Sequence, residues 1–197
     1  MKALTIIWIA LPLFIGFSIY LLPKIARYLA LGVAIFSLGY ALTIFNLDSS
    51  LNLNLLDSFG VILLIDNLTS FFILTNALVT LAVLFSCWQS DKTAFFYTQI
   101  IILHGSVNAS FLCADFISLY VALEVIGIAA FLLVAYPRSD RSIWVALRYL
   151  FVSNTAMLFY LVGAILVYQS HNSFSPHSAL QNVVLKNYKV CLFCDRS

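Results

Sequence analysis

Long apolar runs alternate with short polar connections along this chain of 197 residues. Six runs have about the 20 residues that an α-helix needs to cross the hydrocarbon core of a bilayer. They cover residues 4–22, 28–45, 68–88, 94–112, 116–136 and 143–168. The pattern predicts an all-α integral membrane protein with about six transmembrane helices.

One connection, residues 46–67, is longer than the others. It carries Asp48, Asp57 and Asp66, and it alternates leucine with asparagine from Leu51 to Leu55 before the apolar stretch 61–65. The alternation predicts a hairpin or an amphipathic segment packed on the outer surface. The three aspartates are interpreted as solvated loop residues without a chemical role.

The composition supports a membrane protein and excludes other classes. The chain is 63% hydrophobic and 9% charged, whereas soluble domains have roughly 25% charged residues. Its mean hydropathy is +1.03. The net charge of +2 is scattered without a basic patch, so nucleic acid is not an expected partner and the lipid bilayer is.

No catalytic site is expected in the chain itself. The sequence has no nucleotide-binding glycine pattern, no cysteine set for an iron–sulfur cluster and no histidine pair at haem-ligating spacing. Cys191 and Cys194 form a CxxC pair, but this pair stands alone in the C-terminal tail. The sequence therefore predicts no cofactor and no metal site.

Positive charges in the short loops predict the orientation in the membrane. Five of them fall on one side, and these are Lys24, Arg27, Lys92, Arg138 and Arg141. This side is expected to be cytoplasmic, which places the N-terminus outside, although three basic residues of the tail argue for the reverse. The first run lacks a small-residue cleavage site, so it is expected to remain as a first helix.

Glu124 is the most informative residue, because it lies alone near the middle of the run 116–136. A carboxylate at that depth costs on the order of 2.5–3.5 kcal/mol, and such residues usually handle ions or protons. Tyr120 and Gly127 share its helix face at i−4 and i+3. Asp115 begins this helix and suits the positive end of its dipole. A structural carboxylate that bonds a neighbouring helix is the alternative interpretation of Glu124.

Arg148 is a second charge within an apolar run, and His104 is a titratable residue in the fourth run. The depths of Glu124 and Arg148 differ by on the order of 10 Å, which favours a water-mediated or electrostatic link over a direct salt bridge. Arg148 could instead snorkel to the interface. His104 can change charge near neutral pH and is a candidate relay, or else a hydrogen-bonded packing residue. Three consecutive polar residues offer a water chain along the sixth run, namely Ser153, Asn154 and Thr155.

Small residues mark a packing face on the second predicted helix. Ala30, Ala34 and Ser37 recur at helical spacing. Such a face lets a second helix approach closely, but it is common in polytopic membrane proteins and indicates no particular function.

The stretch from Asp115 to Glu124, DFISLYVALE, resembles the fifth-helix signature of antiporter-like membrane subunits. These subunits occur in Mrp-type cation/proton antiporters and in the proton-pumping arm of complex I. The stretch is most similar to the D-type subunit of the antiporters and to the N-type subunit of complex I. The stretch 146–150, ALRYL, likewise resembles the family's Ala-Leu-Lys-Tyr in the sixth helix, with arginine in place of lysine. The resemblance implies that Glu124 belongs to a charge pair that drives proton movement, with Arg148 at the basic sixth-helix position.

The resemblance also sets an expected domain organisation. Residues 1–112 would form an N-terminal four-helix membrane region, residues 113–170 would begin the proton-conducting domain, and residues 171–197 form an atypical tail. The family continues with a seventh helix and a second inverted repeat, and such transporters place their site at the repeat interface. The sequence is therefore expected to be a truncated, split or frameshifted subunit, and these alternatives stay open.

The expected function is that of a membrane subunit in proton or Na⁺/H⁺ translocation. It would act within a multisubunit antiporter or a complex I-like NADH–quinone oxidoreductase, and any oxidoreductase activity would belong to that complex. Its partners would be other membrane subunits, protons and Na⁺, in a bacterial plasma membrane or a thylakoid-type membrane. The alternative is a non-conducting scaffold or an inactive remnant of such a subunit.

Overall fold

The computed structural model describes residues 2–45, 51–56, 61–90, 92–136 and 138–171, which form six α-helices and one β-hairpin. The helices are α1 (Lys2–Leu21), α2 (Ala26–Phe45), α3 (Asn67–Ser86), α4 (Ala94–Leu112), α5 (Phe116–Val134) and α6 (Asp140–His171). A 3₁₀ turn, Pro23–Ile25, joins α1 to α2. The six helices confirm the predicted fold, and each end lies within three residues of the predicted run. The CxxC pair of the tail lies outside the described residues.

The long connection contains the predicted hairpin. Strands β1 (Leu51–Leu56) and β2 (Val61–Ile65) pair antiparallel, with an irregular register between Asn54 and Leu56. Leu63 and Ile65 of β2 are buried, and Leu63 forms a bridge to Cys113 after α4. The hairpin therefore packs on the end of the bundle where α4 passes into α5. Of the three aspartates in this connection, Asp48 and Asp57 lie outside the described residues.

Asp66 has a structural role that the sequence interpretation missed. Its carboxylate accepts the backbone N–H and the hydroxyl of Thr69, both at 2.7 Å, and so caps the N-terminus of α3. A side-chain cap satisfies one of the backbone donors that the first turn of a helix leaves unpaired. Asp66 is therefore a helix cap, and the expectation of a solvated loop residue was incomplete.

Replacing Asp66 with alanine is expected to lower the free energy of unfolding by about 1 kcal/mol. The bonds from Thr69, first its N–H and then its hydroxyl, hold the pKa of Asp66 below its ordinary value of 3.8. The charged cap therefore stabilises the protein fully above pH 3.8, and its contribution is lost as the pH falls through the lower folded value. Thermal unfolding in detergent from neutral to acid pH tests both effects. Ser86→Ala is the control, since that hydroxyl only bonds its own helix. A variant as stable as the parent at neutral pH would contradict the capping role.

Helix α4 occupies the centre of the bundle and contacts α1, α2, α3 and α5. Ten of its 19 residues are buried, and several of them are polar. By length and composition, four segments of the described part of the chain are apolar enough to cross a membrane: Pro23–Phe45, Asn67–Ser86, Phe116–Val134 and Asp140–Gln169. Helix α4 is more polar because its neighbours, and not lipid, surround it. In α6, by contrast, only 6% of the apolar window is buried, and its main packing partner is α5.

The small-residue face predicted on α2 is buried. Ala30 and Ala34 have no exposed surface, and Ser37 is 1% exposed. Ala30 and Ala34 belong to a core cluster with Ile101 of α4 and Leu84 of α3. The spacing of these residues thus predicted a close helix contact correctly.

The short loops that carry the positive charges meet at one end of the bundle. The Arg27 guanidinium donates to the backbone oxygen of Trp88 at 3.3 Å, which joins the α1–α2 and α3–α4 loops. The backbone N–H of Thr93 donates to the Tyr136 hydroxyl at 3.0 Å, which joins the α3–α4 and α5–α6 loops. The predicted grouping of these charges agrees with the fold, while their cytoplasmic side stays a prediction.

Candidate functional site

Two contacts fix how α5 lies against α6. The rings of Tyr120 and Tyr160 stack with centroids 6.3 Å apart, and the Tyr160 hydroxyl donates to the backbone oxygen of Phe116 at 3.1 Å. Nearer the other end of α5, a Cβ placed on Gly127 would lie 3.2 Å from the Ser153 hydroxyl oxygen. Gly127 therefore allows a polar side chain of α6 to approach the backbone of α5.

Glu124 lies on α5 between these two contacts and is half-buried. The spacing i−4 and i+3 places Tyr120 and Gly127 on its face of the helix, as predicted. Tyr120 lies one turn from Glu124, and the two side chains interact electrostatically. The α5–α6 interface thus holds a carboxylate with a hydroxyl one turn away and a second hydroxyl, that of Ser153, beyond it.

The structure does not bring Arg148 to Glu124. Arg148 is exposed, and its guanidinium carbon lies 5.6 Å from the centroid of the Trp144 ring. The contacts of Tyr120 with Tyr160 and of Gly127 with Ser153 place Glu124 level with Ala156. Arg148 is eight residues from that level, or roughly 12 Å along the helix. Among the described residues no ion pair joins Glu124 and Arg148, and their separation agrees with the indirect link expected from sequence.

Of the three consecutive polar residues in α6, only Ser153 lies at the α5 interface. Asn154 and Thr155 are exposed, and the Thr155 hydroxyl donates to the backbone oxygen of Phe151 at 2.8 Å. Neighbouring residues on a helix point in different directions, so three in a row cannot line one path. The predicted water chain along these residues is therefore reduced to Ser153.

His104 lies in a separate polar cluster between α2, α3 and α4. It is 2% exposed. Its Nδ1 is 2.9 Å from the Thr80 hydroxyl, and its Nε2 is 2.9 Å from the Ser37 hydroxyl and 3.1 Å from the Asn108 amide nitrogen. Asn76 completes the cluster, because its amide donates to the backbone oxygen of His104 at 3.1 Å and to the Asn108 amide oxygen at 2.7 Å. None of these partners lies on α5.

The cluster presents a donor nitrogen to each ring nitrogen of His104. The Asn76 nitrogen can only donate, so the Asn108 oxygen accepts from it and the Asn108 nitrogen faces Nε2. The Asn76 nitrogen also lies 3.2 Å from Nδ1. A neutral histidine has its proton on one ring nitrogen, which donates to the Ser37 or the Thr80 hydroxyl, and the Thr80 hydroxyl donates to the backbone oxygen of Asn76 at 2.8 Å. The hydrogen bonds of the cluster are therefore compatible with either neutral tautomer.

Replacing His104 with alanine is expected to lower the free energy of unfolding by about 1–2 kcal/mol. The change removes the bonds to Ser37 and Thr80 on two other helices, and interhelical bonds in membrane proteins average about 0.6 kcal/mol each. It also removes the imidazole nitrogen that faces the amide of Asn108. Unfolding in mixed detergent micelles measures the difference.

The control for this prediction is Ser106→Ala on the same helix. The Ser106 hydroxyl donates only to the backbone oxygen of Ile102, at 2.7 Å and within α4, among the contacts described for it. Its removal should leave the unfolding free energy nearly unchanged. Equal losses of unfolding free energy in the two variants would show that the hydrogen bonds between helices stabilise the protein no more than a bond within one helix.

Comparison with known proteins matches the part of the chain that contains this interface to a family. A family model described as "NADH:quinone oxidoreductase/Mrp antiporter, TM" matches residues 113–193, which include Glu124 and Arg148. NAD(P)H-quinone oxidoreductase subunit 2 of Prochlorococcus marinus (strain MIT 9303) is 36% identical over 137 residues, which cover 66% of this chain and 26% of the relative. The D-type subunit of the Na⁺/H⁺ antiporter of Alkalihalophilus pseudofirmus is 25% identical over 181 residues, which cover 85% of this chain and 37% of the relative. The chain thus spans only about a quarter to somewhat more than a third of the length of these relatives.

Solved structures show the same fold. A chain of the membrane-bound sulfane sulfur reductase, an archaeal respiratory membrane complex, matches with a TM-score of 0.79 and 18% identity. This match covers 87% of the present chain and 38% of the other. A chain of respiratory complex I from Thermus thermophilus matches with a TM-score of 0.71 and 18% identity. This match covers 85% of the present chain and 38% of the other. With the family model and the relatives, the resemblance inferred from residues 115–124 is confirmed: the chain is similar to membrane subunits of the NADH:quinone oxidoreductase/Mrp antiporter family.

Proposed function

We propose that this chain takes part in proton or Na⁺/H⁺ translocation as a membrane subunit of a multisubunit antiporter or a complex I-like NADH–quinone oxidoreductase. The observation that carries the proposal is the position of Glu124. It is a half-buried carboxylate at the α5–α6 interface, inside the stretch that the family model matches, with the Tyr120 side chain one helical turn away on the same face. An ionisable residue at this depth is kept where it serves a pathway for ions or protons.

In this proposal Glu124 accepts and releases the transported proton. The Tyr120 hydroxyl donates to the charged carboxylate, and the carboxylate oxygens become free to receive a proton when that bond turns away. The Ser153 hydroxyl, across from Gly127, lies about one helical turn further along α5. Hydroxyl groups both donate and accept, so Tyr120 and Ser153 can connect Glu124 to water on either side.

Arg148 would act on Glu124 through its electric field. Two unit charges roughly 12 Å apart interact by on the order of 1 kcal/mol at an effective dielectric constant of about 20. That energy biases the protonation of Glu124 by about a factor of ten at most, without holding the two side chains together. The proposal therefore treats Arg148 as a tuning charge.

His104 would be a relay only if its cluster rearranges. A charged His104 has a proton on both ring nitrogens, and the proton on Nε2 would face the donor nitrogen of Asn108, which is 3.1 Å away. The Asn108 amide would then have to turn, and this would break its bond with Asn76. In the proposal, proton uptake at His104 is thus coupled to a change in the contact between α3 and α4.

A non-conducting scaffold is the second candidate, and the exposed surface of α6 favours it. Large apolar side chains cover this surface, and Phe151, Val152 and Phe159 are each at least 68% exposed. In this alternative α6 packs on a neighbouring subunit, and Glu124 only bonds within its own interface.

Purification of the tagged 197-residue chain from native membranes, with mass spectrometry of the proteins that accompany it, tests membership of a complex. We expect antiporter or complex I-like membrane subunits. A tagged, unrelated polytopic protein from the same membranes is the control. Recovery of the chain alone, or of the same proteins as in the control, would contradict the proposal.

A further inference from the structure

A cavity of about 340 Å³ opens at the end of the bundle where the three short loops meet. It lies between the start of α2 and the start of α4, far from the Glu124 interface in sequence and on other helices. Its lining includes three cations and one tryptophan, namely Lys24, Arg27, Lys92 and Trp88. The cavity is therefore polar and positively charged, unlike the apolar groove between α1, α4 and α5.

The neighbours of two of these cations hold them at the cavity. Arg27 is half-buried, and its guanidinium donates to the backbone oxygen of Trp88 at 3.3 Å. Lys92 is half-buried, and its ammonium lies 5.7 Å and 5.6 Å from the ring centroids of Phe96 and Tyr136. Cations placed over aromatic faces are attracted to them and lose some of their freedom. The positive groups are thus partly ordered at the cavity wall.

No acidic residue appears among the described residues that line the cavity. Asp91, the sequence neighbour of Lys92, lies outside the described residues. Even if its charge is counted with the three cations, the group carries a net charge of 3 − 1 = +2. Helices α2 and α4 also begin at the cavity, and neither has an acidic residue in its first turn. The positive ends of two helix dipoles therefore add to the side-chain charges.

The surface beside the cavity indicates where an anionic ligand would come from. Leu21, Leu22, Ile25 and Tyr28 are all exposed next to it, with Leu21 77% and Tyr28 65% exposed. Such side chains at the end of a transmembrane helix face the acyl chains and the headgroup region of the bilayer. A ligand with an anionic head and apolar chains matches both surfaces.

We propose that this cavity binds the headgroup of an anionic phospholipid from the adjoining leaflet. The phosphate would lie between Lys24, Arg27 and Lys92, and the acyl chains would follow the exposed side chains at the junction of α1 and α2. Basic pockets between transmembrane helices are a known type of lipid site. The proposal does not depend on proton translocation by Glu124.

Quenching of Trp88 fluorescence by brominated lipids tests the proposal. The full chain with Trp8→Phe and Trp144→Phe, which leaves Trp88 as its one tryptophan, is reconstituted in phosphatidylcholine vesicles. A fixed share of brominated phosphatidylglycerol or of brominated phosphatidylcholine is then added. We expect stronger quenching by the anionic lipid. In the Lys24→Gln/Lys92→Gln variant, the affinity of the protein for phosphatidylglycerol relative to phosphatidylcholine should fall roughly 25-fold, because each lost cation contributes a factor of about five.

The matched control is Arg138→Gln/Arg141→Gln, which removes two positive charges near the same end but outside the cavity lining. It should keep most of the preference for phosphatidylglycerol. Equal quenching by the two lipids, or an equal loss of preference in both double variants, would overturn the proposal. So would displacement of the anionic lipid by millimolar inorganic phosphate, because the cavity would then be a site for a free anion.

Discussion

Gly105→Ala is expected to disrupt the contact between α1 and α4 and to lower the free energy of unfolding by about 3 kcal/mol or more. A Cβ at Gly105 would lie 2.5 Å from the Cβ of Pro12, an atom that the proline ring ties to its backbone. Overpacking of a tight site typically costs about 1–3 kcal/mol, and a contact this short with a rigid group belongs at the upper end. The helices would have to separate, since neither atom can turn away.

This contact matters because α1 and α4 pack closely along their length. A Cβ at Gly16 would be 3.0 Å from the Ile102 side chain, and the Thr98 hydroxyl donates to the backbone oxygen of Gly16 at 3.2 Å. Displacing α1 would also disturb the setting of His104, one residue before Gly105. We therefore expect both a lower unfolding temperature and a smaller yield of monodisperse protein in detergent.

The control for Gly105 is Gly39→Ala on α2, where no atom lies within 4 Å of the added Cβ. There the higher helix propensity of alanine should leave stability unchanged or raise it by up to about 1 kcal/mol. Unfolding in detergent measured side by side compares the two variants. If Gly105→Ala were as stable as Gly39→Ala, the close α1–α4 contact would be wrong.

The sequence was sufficient to predict the helices, because each apolar run has the length of a membrane span. It was also sufficient to predict the hairpin, from the alternation of Leu51 to Leu55. It did not reveal that α4 is central. The spacing of the polar residues in α4 did not indicate this position, and the packing of four other helices around it explains why they are tolerated.

The candidate site was predictable only within one helix. The 3.6-residue period places Tyr120, Glu124 and Gly127 on one face, and the structure agrees. Sequence spacing does not specify the relative position of α5 and α6 along their axes. This position determines the contact of Gly127 with Ser153 and the distance of Arg148 from Glu124. The partners of His104 come from α2 and α3 as well as α4, so only the assembled fold brings the cluster together.

Glu124→Gln is expected to reduce proton transport by the assembled complex by about 100-fold or more, to background. Glutamine has nearly the same shape and can keep a hydrogen bond with Tyr120, but it cannot take up a proton at neutral pH. Loss of a positioned proton-transfer group typically costs a factor of about 10² to 10⁴. Tyr120→Phe should have a smaller effect, because it removes a hydrogen-bond partner and leaves the carboxylate in place.

The most direct measurement is proton flux into proteoliposomes that contain equal amounts of wild-type or Glu124→Gln complex, purified through the tagged chain. Glu124→Asp, which keeps a carboxylate, serves as the matched variant. We predict flux at background for glutamine, partial flux for aspartate, and the same subunit composition in all three preparations. Wild-type flux with glutamine at position 124 would contradict the central claim, and a complex that fails to assemble would assign Glu124 to the scaffold instead.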